Sequence, residues 1–389
     1  MSVLFMDGFD HYGNRRHPGA VKKWDLEPTL TDIFVSATAP VRNGTHSLKM
    51  APGSILRTHR FEPGASGVLA GFAVYFPAMP TTGINLLQIL EDNVNVSNLR
   101  HLSLRVDPTS RLFQVRGEDD IVMAYGTTVV NINTWYYLEF RAFLNRGSGE
   151  IRFRVNGKTE LWITSVDSGH SDGTINEETR DCIWNRIRLS GIVPGDNTII
   201  DDFYLSNLNG PAPYNNFLGM CRIETILPSL GNGNINEFEV FPTGEIDHGK
   251  QVDEPSPNSH DYNIAPKHLI SDTKLYLDEN YNYPPIKPLQ IVTVPYPPSE
   301  PLLERIVGVQ PNLYVQRDQT NNFHVKSIMV VPGGGSYLGP DNEVEEFWKY
   351  ITQMFESNPN GSIEWTQETV NSILVGLRAF PPPVVVEPE

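Results

Sequence analysis

The acidic pairs in this 389-residue chain are the first places to test for chemistry. Retaining hydrolysis of a glycosidic bond needs two carboxylates about 5–5.5 Å apart. One strand can supply them as Glu-x-Asp-x-x-Glu, because alternate side chains share a face. The nearest match is Glu245-Ile246-Asp247-His248-Gly249-Lys250, where Lys250 stands in the place of the last acid. A solvated loop is the better reading. Asp119-Asp120 and Asp201-Asp202 offer hard oxygen ligands for calcium, but neither pair has the alternating acid spacing closed by a glutamate. Both read as solvent-facing strand ends or turns. His260 and His268 sit eight residues apart in a polar stretch, without the helical His pair and acid that zinc sites use. Gly333-Gly334-Gly335-Ser336 lacks the lysine and helix start of a phosphate loop and marks a tight turn instead. There is no Gly-x-Ser-x-Gly elbow and no recognisable Cys/His pair, and Cys182 and Cys221 read as small hydrophobes. Asn-x-Ser/Thr sequons at Asn43, Asn95 and Asn360 are expected by chance in so Asn-rich a chain. The expectation is a protein that is not an enzyme, with no cofactor and no metal.

Binding chemistry has more candidates. Trp24, Tyr125 and Trp162 could each present a ring to a sugar, although a large aromatic on a strand more often belongs to the core. The last residues, FPPPVVVEPE, combine prolines that end any helix with Val384, Val385 and Val386. An extended arm of this kind exposes apolar surface on both sides, and covering one valine is worth roughly 1.5–3 kcal/mol. Pro382, Val384, Val385 and Val386 are therefore the candidate partner-contact residues.

The elements that must carry these residues are strands. The chain has 13 Ala against 31 Asn, 31 Gly and 31 Pro, so turn formers far outnumber the best helix former. From residue 1 to 208, alternating segments such as GVLAGFAVYF, LRHLSLRV, LFQVR, WYYLEFRAF, EIRFRV and IIDDFYL follow one another between turns. In Trp135–Phe143 the alternation sends Tyr137, Glu139 and Arg141 to one face and Leu138 and Phe140 to the other. Asn156-Gly157 is a two-residue hairpin turn. This spacing, without helical periods, predicts a sandwich or jelly roll. Residues 209–220 (NGPAPYNNFLGM) read as a linker, so a fragment 1–208 is expected to fold alone. A second β domain follows over 221–380, interrupted by seven prolines between Pro284 and Pro301, and an extended arm ends the chain over 381–389. Phe347–Phe355 fits a strand or a short helix. Trp365–Leu377 predicts a helix capped by Thr366, with Val370, Ile373, Leu374 and Leu377 as its buried stripe.

The net charge is −16, and no basic stretch suggests nucleic-acid binding. No apolar run reaches the roughly 18 residues of a membrane helix, and MSVLFMDGFDHYG lacks the apolar core of a signal peptide. The expectation is a protein made in the cytoplasm, with no nucleic acid and no membrane among its partners.

Two blocks carry a resemblance. WYYLEFRAF, GEIRFRVNGK and IIDDFYLSNL, with MDGFDHYG near the start, resemble the central strand, hairpin and closing strand of concanavalin A-like (laminin G-like) jelly-roll domains in phage virion proteins. CRIETILPSLGNGNINEFEV, VDEPSPNSHDYNIA, DTKLYLDE, IVGVQPNLYVQRD, SIMVVPGGGSYLGP and the final segment through WTQETVNSILVGLRA resemble, in that order, a structural domain of tailed-phage particle proteins. The proline insert at 284–301 and the tail at 381–389 depart from that pattern. The resemblance implies a structural component of a tailed-phage particle, tail-associated or on the capsid surface. It would act in the virion through contacts with other virion proteins and copies of itself, and it brings no catalytic residue. The rival expectation is a receptor-binding, lectin-like adhesin for a host-surface glycan.

Overall fold

The computed structural model describes residues 2–226 except 13–14, 17–22, 27–32, 39, 43, 81–82, 93–98, 169–181 and 195. Beyond them it describes 239–241, 262–264, 289–294, 305–315, 324–344 except 332, and 349–380 except 362–363. The chain divides into two compact units, Met1–Ile223 with Val294–Glu304, and Glu224–Thr293 with Arg305–Glu389. The protein is all-β: a jelly-roll sandwich of two antiparallel sheets, then a second β unit with, among the described residues, one short α-helix near its end.

In the first unit one antiparallel sheet has nine strands. From one edge it runs Lys158–Val166, Gly149–Val155, Trp135–Phe143, Gly67–Tyr75, Thr198–Ser206, Ser47–Met50, Ile33–Ser36 and Arg15–Arg16, and Val3–Asp7 also pairs with Thr198–Ser206. The other sheet has seven strands, in the order Val122–Val129, Leu112–Arg116, Leu99–Val106, Asn85–Glu91, Arg186–Ser190, Ile55–Arg57 and Asp25–Leu26. Their inner faces meet through packed rings: Phe113 lies 6.0 Å from Tyr136 and 5.4 Å from Phe153, both across the sandwich. Asn156-Gly157 forms the expected hairpin turn, with φ of +50° and +77°, values that a primed turn requires. The Asn156 side chain also accepts the Tyr137 amide at 2.8 Å.

Both faces of the central strand Trp135–Phe143 are covered. Tyr137 and Glu139, on the face away from Leu138 and Phe140, are 2% and 0% exposed. Residues 209–223, read from the sequence as a linker and the start of a second domain, provide that cover as part of the first unit. Tyr214, Leu218, Cys221 and Ile223 are buried. The Gly219 amide donates to Glu139 Oε1 at 2.8 Å, and the Ile223 amide donates to Asp202 Oδ1 at 2.7 Å. Gly71 lets the Tyr204 ring cross the sheet to Glu139, since a Cβ there would lie 2.1 Å from Tyr204 Cε1.

In the second unit, His324–Val330 is flanked by Leu374–Phe380 on one side and by Ser336–Leu338 and Asn342–Glu343 on the other. Lys349–Thr352, left open between strand and helix by its pattern, is a strand paired with Arg305–Val315. Thr366 caps the helix as expected, its hydroxyl accepting the Thr369 amide at 3.1 Å. The helix, however, covers only Gln367–Ser372. Leu374 and Leu377 belong to a strand, correcting the predicted stripe. The physical reason is long-range pairing: seven consecutive residues register with His324–Val330, and β-branched Ile373 and Val375 with Gly376 favour leaving the helix. Val370 remains buried beside Trp365, Met329 and Val309.

Candidate binding face

Strand alternation builds the site. Leu102, Leu104 and Val106, Phe113 and Val115, and Ile187 and Leu189 point into the sandwich and are 0% exposed. Their alternates must therefore populate the opposite face. Cross-strand pairing joins them in rows, since directly opposed residues share a face. One row runs Arg116, Ser103, Gln88, Arg188, Arg57 and Asp25 across six strands. The next runs Tyr125, Gln114, Arg105 and Asn85.

Arg100, Arg105 and Arg116 converge on one carboxylate, that of Asp120, at 3.2, 2.9 and 3.1 Å. Asp120 sits with φ +65° in the turn closed by Gly117 and Ile121, which aims its side chain back over the sheet. Arg105 also donates from Nε to Asn85 Oδ1 at 3.0 Å, and Arg116 Nε donates to Gln114 Oε1 at 3.1 Å. Burial pulls the Arg105 pKa below its ordinary value; Asp120 opposes that shift and Arg116 adds to it. Paired across the strands with Arg116 and Arg105 are Ser103 and Gln114, each 1% exposed, whose Oγ and Nε2 have no hydrogen-bond partner among the described residues. Tyr125 flanks them, 49% exposed. Further along, Arg186 is held by Asp25 at 2.7 Å and by Asp92. Among the described residues Asp120 is the one carboxylate within ion-pair distance of these three guanidinium groups, and Glu118 and Asp119 precede it in the same turn.

The aromatic candidates separate. Trp24 is 2% exposed, packs 4.7 Å from Phe5 and 4.9 Å from Phe203, and donates to Asp7 Oδ2 at 2.8 Å. It is core, and no platform. Trp162 is 61% exposed on the outer face of the nine-stranded sheet, with the Arg152 guanidinium 3.8 Å over its ring. Tyr125 and Trp162 thus lie on different sheets. Between their strands Glu160 accepts hydrogen bonds from both amides and both hydroxyls of Thr127 and Thr128 at 2.6–2.9 Å. Burial alone would raise its pKa, but these donors hold it below the usual carboxylate value.

The acidic pairs also separate. Asp119 accepts the Ile121 amide at 3.0 Å in the expected turn. Asp201 and Asp202 contradict the expected solvent-facing end: both are 0% exposed, at a register break within Thr198–Ser206. Asp201 accepts the Arg42 amide at 3.1 Å, while Asp202 pairs with the Arg42 guanidinium and holds the 223 amide. Sequence alone cannot distinguish a buried pair from an exposed one, because their donors come from 159 to 160 positions away on one side. Glu245, Asp247, His260, His268, Asn43, Asn95, Pro382, Val384, Val385 and Val386 lie outside the described residues. Among the described residues no group of three or more His, Cys, Asp or Glu could hold a metal ion, and no helix is long and apolar enough to cross a membrane. The arginines, Ser103 and Gln114 went unnoticed in the sequence. Their signal was available in LRHLSLRV, LFQVR and RIRLS, where cationic and polar residues alternate with apolar ones.

The sequence matches no family model and no curated protein. Among solved structures, the VIP36 exoplasmic/lumenal domain in its Ca2+/Man3GlcNAc-bound form is similar at 13% identity and a TM-score of 0.31, over 54% of this chain and 92% of that one. A SAP-like pentraxin from Limulus polyphemus is similar at 10% identity and a TM-score of 0.29, over 40% and 74%. Trypanosoma rangeli sialidase is similar at 13% identity and a TM-score of 0.31, over 45% of this chain and 27% of the sialidase, so the match spans about a quarter of that enzyme. What those proteins bind or cleave stays with them.

Proposed function

We propose that the first unit is a non-catalytic glycan-recognition module. The observation that carries this reading is the outer face of the seven-stranded sheet, where the exposed Tyr125 ring shares a cross-strand row with the polar and cationic side chains of Gln114, Arg105 and Asn85. Hydroxyl-rich ligands satisfy such groups, and a flat ring packs against a sugar. Binding of the full chain to a glycan array tests it, with Gln114→Leu and Tyr125→Ala as paired variants. Retention of defined glycans that both variants weaken supports the reading; an array on which nothing is retained overturns it.

A second reading places the chain in a tailed-phage particle as a structural component contacting other virion proteins and copies of itself. It is favoured by the ordered motifs of residues 221–380 and by the exposed Trp162 on the sheet opposite the glycan face. The two readings are compatible, since a particle protein can carry a host-recognition unit. Deleting residues 381–389 tests the role of Pro382 and Val384–Val386: the truncated chain should fold but enter particles poorly, and normal incorporation would exclude the arm as a contact.

A further inference from the structure

We propose that the glycan recognised on this face is acidic, its carboxylate or sulfate seated among Arg100, Arg105 and Arg116. The inference rests on the glycan reading above and adds the ligand class. Asp120 already occupies the place of such an anion, 2.9–3.2 Å from all three guanidinium groups. One carboxylate cannot pair fully with three guanidinium groups, and Arg100 Nε has no hydrogen-bond partner among the described residues. The three guanidinium groups therefore share one contacting carboxylate in a corner where their side chains are only 11–21% exposed, so an incoming anion is weakly screened. Planar guanidinium groups match carboxylate and sulfate oxygens, and such charge-assisted bonds are about twice as strong as neutral ones. Gln114, whose Oε1 accepts from Arg116 Nε, stands beside them, and its Nε2 supplies a neutral donor for a ring hydroxyl.

The rest of the chain selects among anions. A net charge of −16 repels a densely charged strand such as a nucleic acid, whereas a saccharide with one acid per repeat pays less repulsion. The Tyr125 ring and the buried Ser103 hydroxyl favour a sugar over an acidic peptide, because they offer stacking and hydroxyl pairing that a peptide carboxylate does not use.

The test measures binding of the full chain to polygalacturonate (carboxylate), κ-carrageenan (sulfate), neutral dextran and laminarin, and poly-glutamate as a non-glycan anion. Binding to at least one acidic glycan, tighter than to either neutral one and weakened by salt, is expected; which of the two binds identifies the acidic group. Arg116→Gln should weaken it roughly tenfold or more, the loss of a charge-assisted pair. Gln114→Glu should weaken it too by placing a like charge beside the anion. Asp120→Asn removes the internal competitor and should tighten binding, a gain that misfolding cannot produce. Equal binding of neutral and acidic glycans, indifferent to Arg116→Gln, overturns the acidic class and leaves the glycan reading standing. Binding of poly-glutamate as tight as that of the acidic glycans overturns the saccharide. Weaker binding in Asp120→Asn, or loss through Trp162→Ala alone, overturns the location. No binding to any glycan here or on the array overturns both readings together.

Discussion

Cutting the chain after residue 208 and after residue 223 should give fragments of very different character. Residues 209–223 bury Tyr214, Leu218, Cys221 and Ile223 on the outer face of the nine-stranded sheet. Each large side chain contributes about 1.5–3 kcal/mol. Removing the segment also strips the Gly219 amide from Glu139 and the Ile223 amide from Asp202. Losing a partner costs a buried acceptor about 1–3 kcal/mol, more when it is charged. Glu139, whose pKa burial already raises against the help of Tyr204 and Gly219, would become still harder to ionise. The Ser2 and Ser206 hydroxyls lose the Tyr214 carbonyl as well. The total is roughly 10 kcal/mol, an upper figure because the unfolded chain is itself partly compact. Domains are stable by about 5–15 kcal/mol altogether. Fragment 1–223 should therefore melt cooperatively in urea, while 1–208, which the turn-rich composition alone suggested as a domain, should show no cooperative transition by tryptophan fluorescence and near-UV circular dichroism. A 1–208 fragment with the same urea midpoint as 1–223 would refute the argument.

Further perturbations report on single devices. Burial holds the His11 pKa down to about 3, with Asp7 opposing and Lys23 reinforcing the shift. The unfolded state then binds the extra proton between about pH 3 and 6.5, so stability is lost as pH falls through that window, by up to about 1.4 kcal/mol per pH unit. His11→Gln should flatten that slope in urea midpoints measured across it; an unchanged slope would remove His11 as the cause. Asp10, raised to about 6 mainly by burial, acts with the opposite sign, so Asp10→Asn should steepen the same slope. Gly157→Ala, at φ +77°, should cost about 1–2 kcal/mol in equilibrium unfolding. Trp365→Ala should cost about 3–5 kcal/mol in the second unit, losing core packing and its 3.1 Å bond to the Phe355 carbonyl; thermal scans showing no shift would place Trp365 outside that core.

The sequence by itself determined what is local. Turn formers outnumbering alanine predicted an all-β chain, alternation predicted which side chains of a strand share a face, and Asn156-Gly157 and Thr366 specified a turn and a cap through their own neighbours. These depend on contacts a few residues apart, and composition or period records them. Only the tertiary structure decided what depends on strand order. Arg57 and Arg188 stand opposite each other across 131 positions, and the Asp202 carboxylate meets Arg42 across 160. Period-two spacing says that Arg105 points away from Leu104; it does not say that Arg100 and Arg116 will meet it at Asp120. The segment Leu374–Phe380 makes the same point from the other side. Its helix-like stripe was real as a pattern, but seven pairings with His324–Val330 outweighed a local preference worth tenths of a kcal/mol per residue. Burial of Asp201 and Asp202 and exposure of Trp162 likewise followed from which element lay above them, and no residue within a strand's reach encodes that.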